Sequence, residues 1–125
     1  MSLRSPLSQA RGLGSAKDGT HHFWVQRVSA VALIPLSLWF VFSLASLPGA
    51  SYEQVQWWVG YPAVAVTLIL FIGAALYHSM LDVQVVIEDY VGSEALKITA
   101  LLLSKFFHFI VATASIFAVL KIALS

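Results

Sequence analysis

The sequence predicts an all-α membrane protein of three transmembrane helices with a cytoplasmic N-terminus. Three observations carry this fold class. Hydrophobic residues make up 59% of the 125 positions and charged residues 10%, too apolar for a water-soluble domain. Val28 to Leu47, Val59 to Leu81 and Ala95 to Leu124 each reach the ~20 residues a helix needs to cross the hydrocarbon core. Positive charge is also unevenly spread. Arg4, Arg11, Lys17 and Arg27 precede the first stretch, whereas Pro48 to Trp58 holds no Lys or Arg.

The elements follow in order. Residues 1–20 are polar, with several Gly and Ser, and read as a flexible cytoplasmic tail. The membrane domain covers 21–125, with spans over approximately 24–47, 59–87 and 94–124. The first apolar run is longer than the ~7–15 residues of a signal peptide and begins only after Arg27, so it reads as an uncleaved span. Trp24 suits the interface, Pro35 is expected to kink the helix or free a carbonyl, and Pro48-Gly49 ends it. Tyr52, Trp57 and Trp58 form an interfacial belt before the second span, where Pro62 fits the first turn. Gly92-Ser93 separates the last two spans, with Ser93 as N-cap and Glu94 in the first turn. The third span is ~45 Å long if fully helical and must tilt or project.

Composition also excludes chemistry. A net charge of +1 without a basic run gives no support for nucleic-acid binding. The chain has no cysteine, so it offers neither a disulfide nor a cysteine-ligated iron–sulfur cluster, and any such cluster belongs to a partner. No phosphate loop, nucleophile triad or zinc motif is present. Three spans and short loops leave no room for a separate soluble catalytic domain.

The chemistry-bearing residues gather between Tyr77 and Val91. His78 is ionisable at membrane depth, where such groups mark functional sites by default. It shares a helix face with Phe71, Ala74, Ala75, Leu81 and Asp82, and Gly73 lies beside the two alanines. Small neighbours admit a flat macrocycle, but they equally admit another helix. Two readings therefore stand: an axial ligand to haem iron, or a histidine bonded to a neighbouring helix. A second axial ligand would come from His108 in the third span or from a partner subunit. Lys105 and His108 share a face and could neutralise haem propionates, or Lys105 could snorkel.

Tyr90 and Asp89 follow His78 by twelve and eleven residues. On a continuous helix Tyr90 lies ~18 Å along the axis, at interface depth, where a lipid quinone's head would sit. Its hydroxyl can donate to a quinone carbonyl, and a neighbouring carboxylate can orient it or relay protons. Arg27 shares that cytoplasmic side and could fix the aspartate's charge. The plain alternative is ordinary interfacial belt chemistry. His21, His22, Trp24, Gln26 and Arg27 form a polar-aromatic cluster suited to anchoring or to docking a cytoplasmic partner.

Three blocks give the chain a resemblance: Gly12 to Trp24 with Gln26 and Arg27; Val31 to Phe40; and His78 followed by Gln84 to Val91. Together they resemble the hydrophobic membrane anchor subunits of bacterial succinate dehydrogenase, the D subunits of complex II. The resemblance covers nearly the whole chain and is most specific in the third block. It implies a helical bundle formed with a second anchor subunit, the cytochrome b556 anchor subunit, and one haem b held between two histidines, one from each chain. His78 stands at the ligand position. An iron–sulfur subunit and a flavoprotein subunit would dock on the cytoplasmic face of a bacterial inner membrane. Electrons from succinate would pass to ubiquinone, joining the tricarboxylic acid cycle to respiratory electron transport. Tyr90 matches the quinone-bonding tyrosine and Asp89 its adjacent acid, while Arg27 lies near by topology.

Two positions depart from that pattern. Asp82 stands where a glycine is expected beside the porphyrin; a carboxylate there costs desolvation unless it reaches water or pairs with a base. Gly92 replaces a histidine often seen after the Asp-Tyr-Val run. Two rivals remain: a non-redox membrane scaffold or assembly subunit, and a self-contained cytochrome using His78 and His108.

Overall fold

The computed structural model describes residues 5–7 and 17–125. Most of the expected tail over 1–20, including Arg4 and Arg11, lies outside the described residues. The long elements are α1 (Lys17–Ala45), α3 (Pro62–Tyr90) and α4 (Glu94–Ala123), with a short α2 (Tyr52–Gly60) between the first two. No strand occurs among the described residues. The three long helices each have the length and composition of a membrane span, so the chain is an all-helical membrane protein.

Local chemistry sets the boundaries. Pro35 sits within α1 without ending it. Lacking an N–H, it leaves the Val31 carbonyl without its intrahelical donor. After α1 the chain turns at Gly49, whose φ of 86° is left-handed backbone that favours glycine. A capping box then starts α2. The Gln54 N–H donates to Ser51 Oγ (3.2 Å), and the Ser51 N–H donates to Gln54 Oε1 (2.7 Å). Tyr61 is extended, and Pro62 opens α3 at its first turn. The interfacial aromatics thus sit on their own helix, separate from the span that follows. Ser93 occupies the N-cap of α4, but its side chain makes no capping bond.

α3 packs against both α1 and α4, while α2 packs against α3 and α4. The order of contacts makes α1 and α3 antiparallel. Gln26, Ser29 and Phe40 of α1 meet Asp82, His78 and Phe71 of α3 in turn. The buried cluster of Ala65, Leu68 and Val119 lies toward the α2 end, packed by Trp39, Trp58 and Ile72. Trp39 stacks on Trp58 with centroids 6.1 Å apart, and Phe40 on Phe71 at 4.6 Å. Outside this cluster Leu81 is buried, but many large apolar side chains face outward, including Phe42 at 72% and Phe109 at 71% exposure. Such a surface suits lipid or partner helices, not water.

Candidate functional site

At the opposite end from that cluster, four polar side chains meet between α1 and α3. Ser29 is buried, and its Oγ donates to the Gln26 carbonyl one turn earlier (2.9 Å). The same oxygen lies 2.9 Å from His78 Nδ1. When the one hydroxyl proton stays on the carbonyl, Nδ1–H donates to Ser29; when Nδ1 is unprotonated, the hydroxyl donates to it instead. On the other edge of the ring, His78 Nε2 lies 3.3 Å from Asp82 Oδ2. The Gln26 side-chain amide donates to Asp82 Oδ1. Each contact that crosses between membrane helices is worth about 1 kcal/mol, so Ser29–His78 and Gln26–Asp82 together set the register of α1 on α3.

Asp82 therefore has a base beside it, and that base is His78. Their side chains are 48% and 24% exposed, so the contact lies at the edge of the packed interface. The donor set suits an axial ligand. His78 presents one nitrogen anchored inward on Ser29 and the other outward against a half-exposed carboxylate. A metal bound at Nε2 requires Asp82 to swing aside. Among the described residues, no group of three or more His, Asp or Glu side chains converges as a metal site.

His108 is engaged quite differently. It is buried in α4, its Nδ1–H donates to the Ser104 carbonyl (2.8 Å), and its Nε2 lies 3.1 Å from Ser79 Oγ. With Nδ1–H so placed, Nε2 accepts from Ser79, and both nitrogens are committed within the α3–α4 contact. His78 faces α1, whereas its neighbour Ser79 faces α4, so the two histidines serve different helix pairs. Lys105 is exposed and lines, with His108, an apolar groove of about 550 Å³ between α3 and α4. A second groove of about 490 Å³ lies between α1 and α3, with Ser29, Gly73 and Ala74 in its wall. His78 lines neither groove.

The polar residues near the start of α1 and the end of α3 are spread out. α3 continues unbroken to Tyr90, which is 84% exposed, and Asp89 is exposed beside it. Tyr90 lies ~18 Å along the axis from His78 and ~12 Å beyond Asp82. Arg27 follows Gln26, near the level of Asp82, and its guanidinium rests 5.0 Å from the Phe23 ring. Among the described residues, no ion pair joins Arg27 to Asp89. His22 Nε2 is buried without a hydrogen-bond partner among the described residues, while Glu88 accepts from Gln84 (2.9 Å).

Sequence reasoning missed Ser29 and Ser79. The available signal was a serine within each apolar span, Ser29 three residues after Gln26 and Ser79 beside His78. Neither could be paired without knowing the register between helices.

The comparisons with known proteins agree on one family. The family described as the succinate dehydrogenase/fumarate reductase transmembrane subunit matches residues 1–120. The chain is 34% identical over 117 residues to the succinate dehydrogenase hydrophobic membrane anchor subunit of Rickettsia bellii, with 94% of each chain covered. It is 34% identical over 120 residues to the protein of the same name from Paracoccus denitrificans, covering 96% of this chain and 92% of that one. The succinate dehydrogenase membrane anchor subunit of Reclinomonas americana is 29% identical over 90 residues, 70% of this chain and 75% of that one. No solved structure matches the chain significantly. With three apolar spans and a match along almost its entire length, the chain belongs to the family of succinate dehydrogenase/fumarate reductase transmembrane subunits.

Proposed function

We propose that this chain is the hydrophobic membrane anchor subunit of a bacterial inner-membrane succinate:ubiquinone oxidoreductase, with His78 as one axial ligand of a haem b. The cytochrome b556 anchor subunit would supply the second histidine. The iron–sulfur and flavoprotein subunits would bring electrons to the cytoplasmic face. The observation that carries this reading is the state of the His78 ring: Nδ1 held inward by Ser29 and Nε2 turned to the outer edge of the α1–α3 contact. A ligating imidazole usually makes this kind of bond with its non-ligating nitrogen. A haem bound there would take up and release one electron at a time.

The chain's own residues have separable tasks. Gln26 receives the Asp82 carboxylate, so that it stays hydrogen-bonded when it leaves the ring. Tyr90 donates its phenol proton to a quinone carbonyl and so stabilises the charge that develops on it. Asp89 orients that phenol or passes protons from the cytoplasmic side. Arg27 contributes positive charge near the same face. Full reduction of the quinone takes two electrons and two protons; the electrons arrive from the partner's clusters, and this face supplies the protons.

One observation favours the rival, a non-redox scaffold or assembly subunit. Both nitrogens of His78 already have partners within the chain, as a packing histidine would. The purified complex separates the two. In the redox anchor, His78→Ala abolishes the low-spin b-type spectrum. A complex that lacks such a spectrum, or keeps it in the variant, is a scaffold with respect to this chain.

A further inference from the structure

We infer that Ser29 is a positioning residue for the haem ligand: its hydroxyl sets His78 in the Nδ1–H tautomer and aims Nε2 at the iron. This rests on the axial role proposed for His78. A buried hydroxyl on an apolar helix costs about 1–3 kcal/mol unless it is bonded, and Ser29 is 8% exposed. With Nε2 on iron the neutral ring carries its proton on Nδ1, and Ser29 can accept it across the 2.9 Å contact while its own proton stays on the Gln26 carbonyl. The ring thus reaches its ligating tautomer through α1, a different helix from its own.

His108 shows what the alternative looks like. There Nδ1 also donates to a carbonyl, but the Nε2 lone pair is taken by Ser79 at 3.1 Å. At His78 the second nitrogen instead faces a half-exposed carboxylate at 3.3 Å, beyond the usual 2.7–3.2 Å of an N–H···O bond. Of the two intramembrane histidines, only His78 has one nitrogen fixed by the protein and the other kept at an edge that iron can reach. An oxygen accepting from Nδ1–H also raises the basicity of Nε2, which favours the ferric state of bound haem.

The test uses the intact complex, expressed with its companion subunits. Ser29→Ala, Ser29→Cys, Ser29→Thr and His78→Ala are compared by haem titration after partial depletion, and by the midpoint potential of the b-type spectrum. Ser29→Ala is expected to weaken haem binding about 10- to 100-fold and to move the midpoint upward. Ser29→Thr restores both. Ser29→Cys keeps the side chain's size but is a poor acceptor, so it falls between and gives a reading even where the alanine variant assembles badly. Serine variants with wild-type affinity and potential, beside a His78→Ala complex that has lost its haem, overturn this inference and leave the axial role standing. A b-type spectrum that survives His78→Ala overturns both.

Discussion

Asp82 stands against the outer nitrogen of His78, the one proposed to ligate iron, so removing it is an informative perturbation. In the chain as it folds, Asp82 Oδ2 occupies the outer edge of the ring at 3.3 Å. A ligand taking Nε2 must displace it. Both partners are partly exposed, 24% for His78 and 48% for Asp82, so the attraction that arises when Nε2 carries a proton is screened and worth roughly 0.2–1 kcal/mol. Relief of that competition corresponds to about a 1.4- to 5-fold gain in haem affinity. Asp82→Ala measures it most cleanly, because alanine favours the helix. Asp82→Gly carries a helix cost of about 1 kcal/mol, as large as the whole gain. The assay is haem titration of the depleted complex, followed by the rise of the b-type band. Affinity should rise in Asp82→Ala, and less in Asp82→Gly. A fall of tenfold or more in Asp82→Ala would mean that the carboxylate supports the bound haem, and the displacement argument would be wrong.

Other perturbations separate the tasks assigned to each residue. Tyr90→Phe should leave assembly and the haem spectrum intact while slowing quinone reduction about 10- to 100-fold, as for loss of one hydrogen bond to a charged group; unchanged quinone kinetics remove Tyr90 from the site. His108→Leu should cost about 1–2 kcal/mol by loss of its bond to Ser79, read as a lower melting temperature of the complex in detergent. The low-spin haem should persist in that variant, and its loss would return His108 to the ligand set.

The three spans were legible because membrane thickness fixes the length of an apolar helix, and each run met it. The separate α2 was less visible. Tyr52, Trp57 and Trp58 read as an aromatic belt leading into a span that Pro62 opens, yet Ser51 and Gln54 already had the spacing of a capping box. Side-chain partners were the least legible. Spacing put His78 and Asp82 on one face, and desolvation required Asp82 to find water or a base. It could not show that the base was His78 itself, nor that Gln26 would hold the other carboxylate oxygen. That pairing depends on the register of α1 against α3, which aromatic contacts such as Phe40 on Phe71 share in setting, far from the site in sequence. His108 illustrates the same point. Its residue type allowed a ligand, and only the position of Ser79 across the helix pair assigns its second nitrogen to packing.

The most direct measurement is the reduced-minus-oxidised spectrum of the purified complex, wild type beside His78→Ala, with haem counted per assembled complex. The expected result is one low-spin b-type haem in the wild type and its loss in the variant, with the companion subunits still bound. An undiminished b-type band in an assembled His78→Ala complex would contradict the axial role of His78.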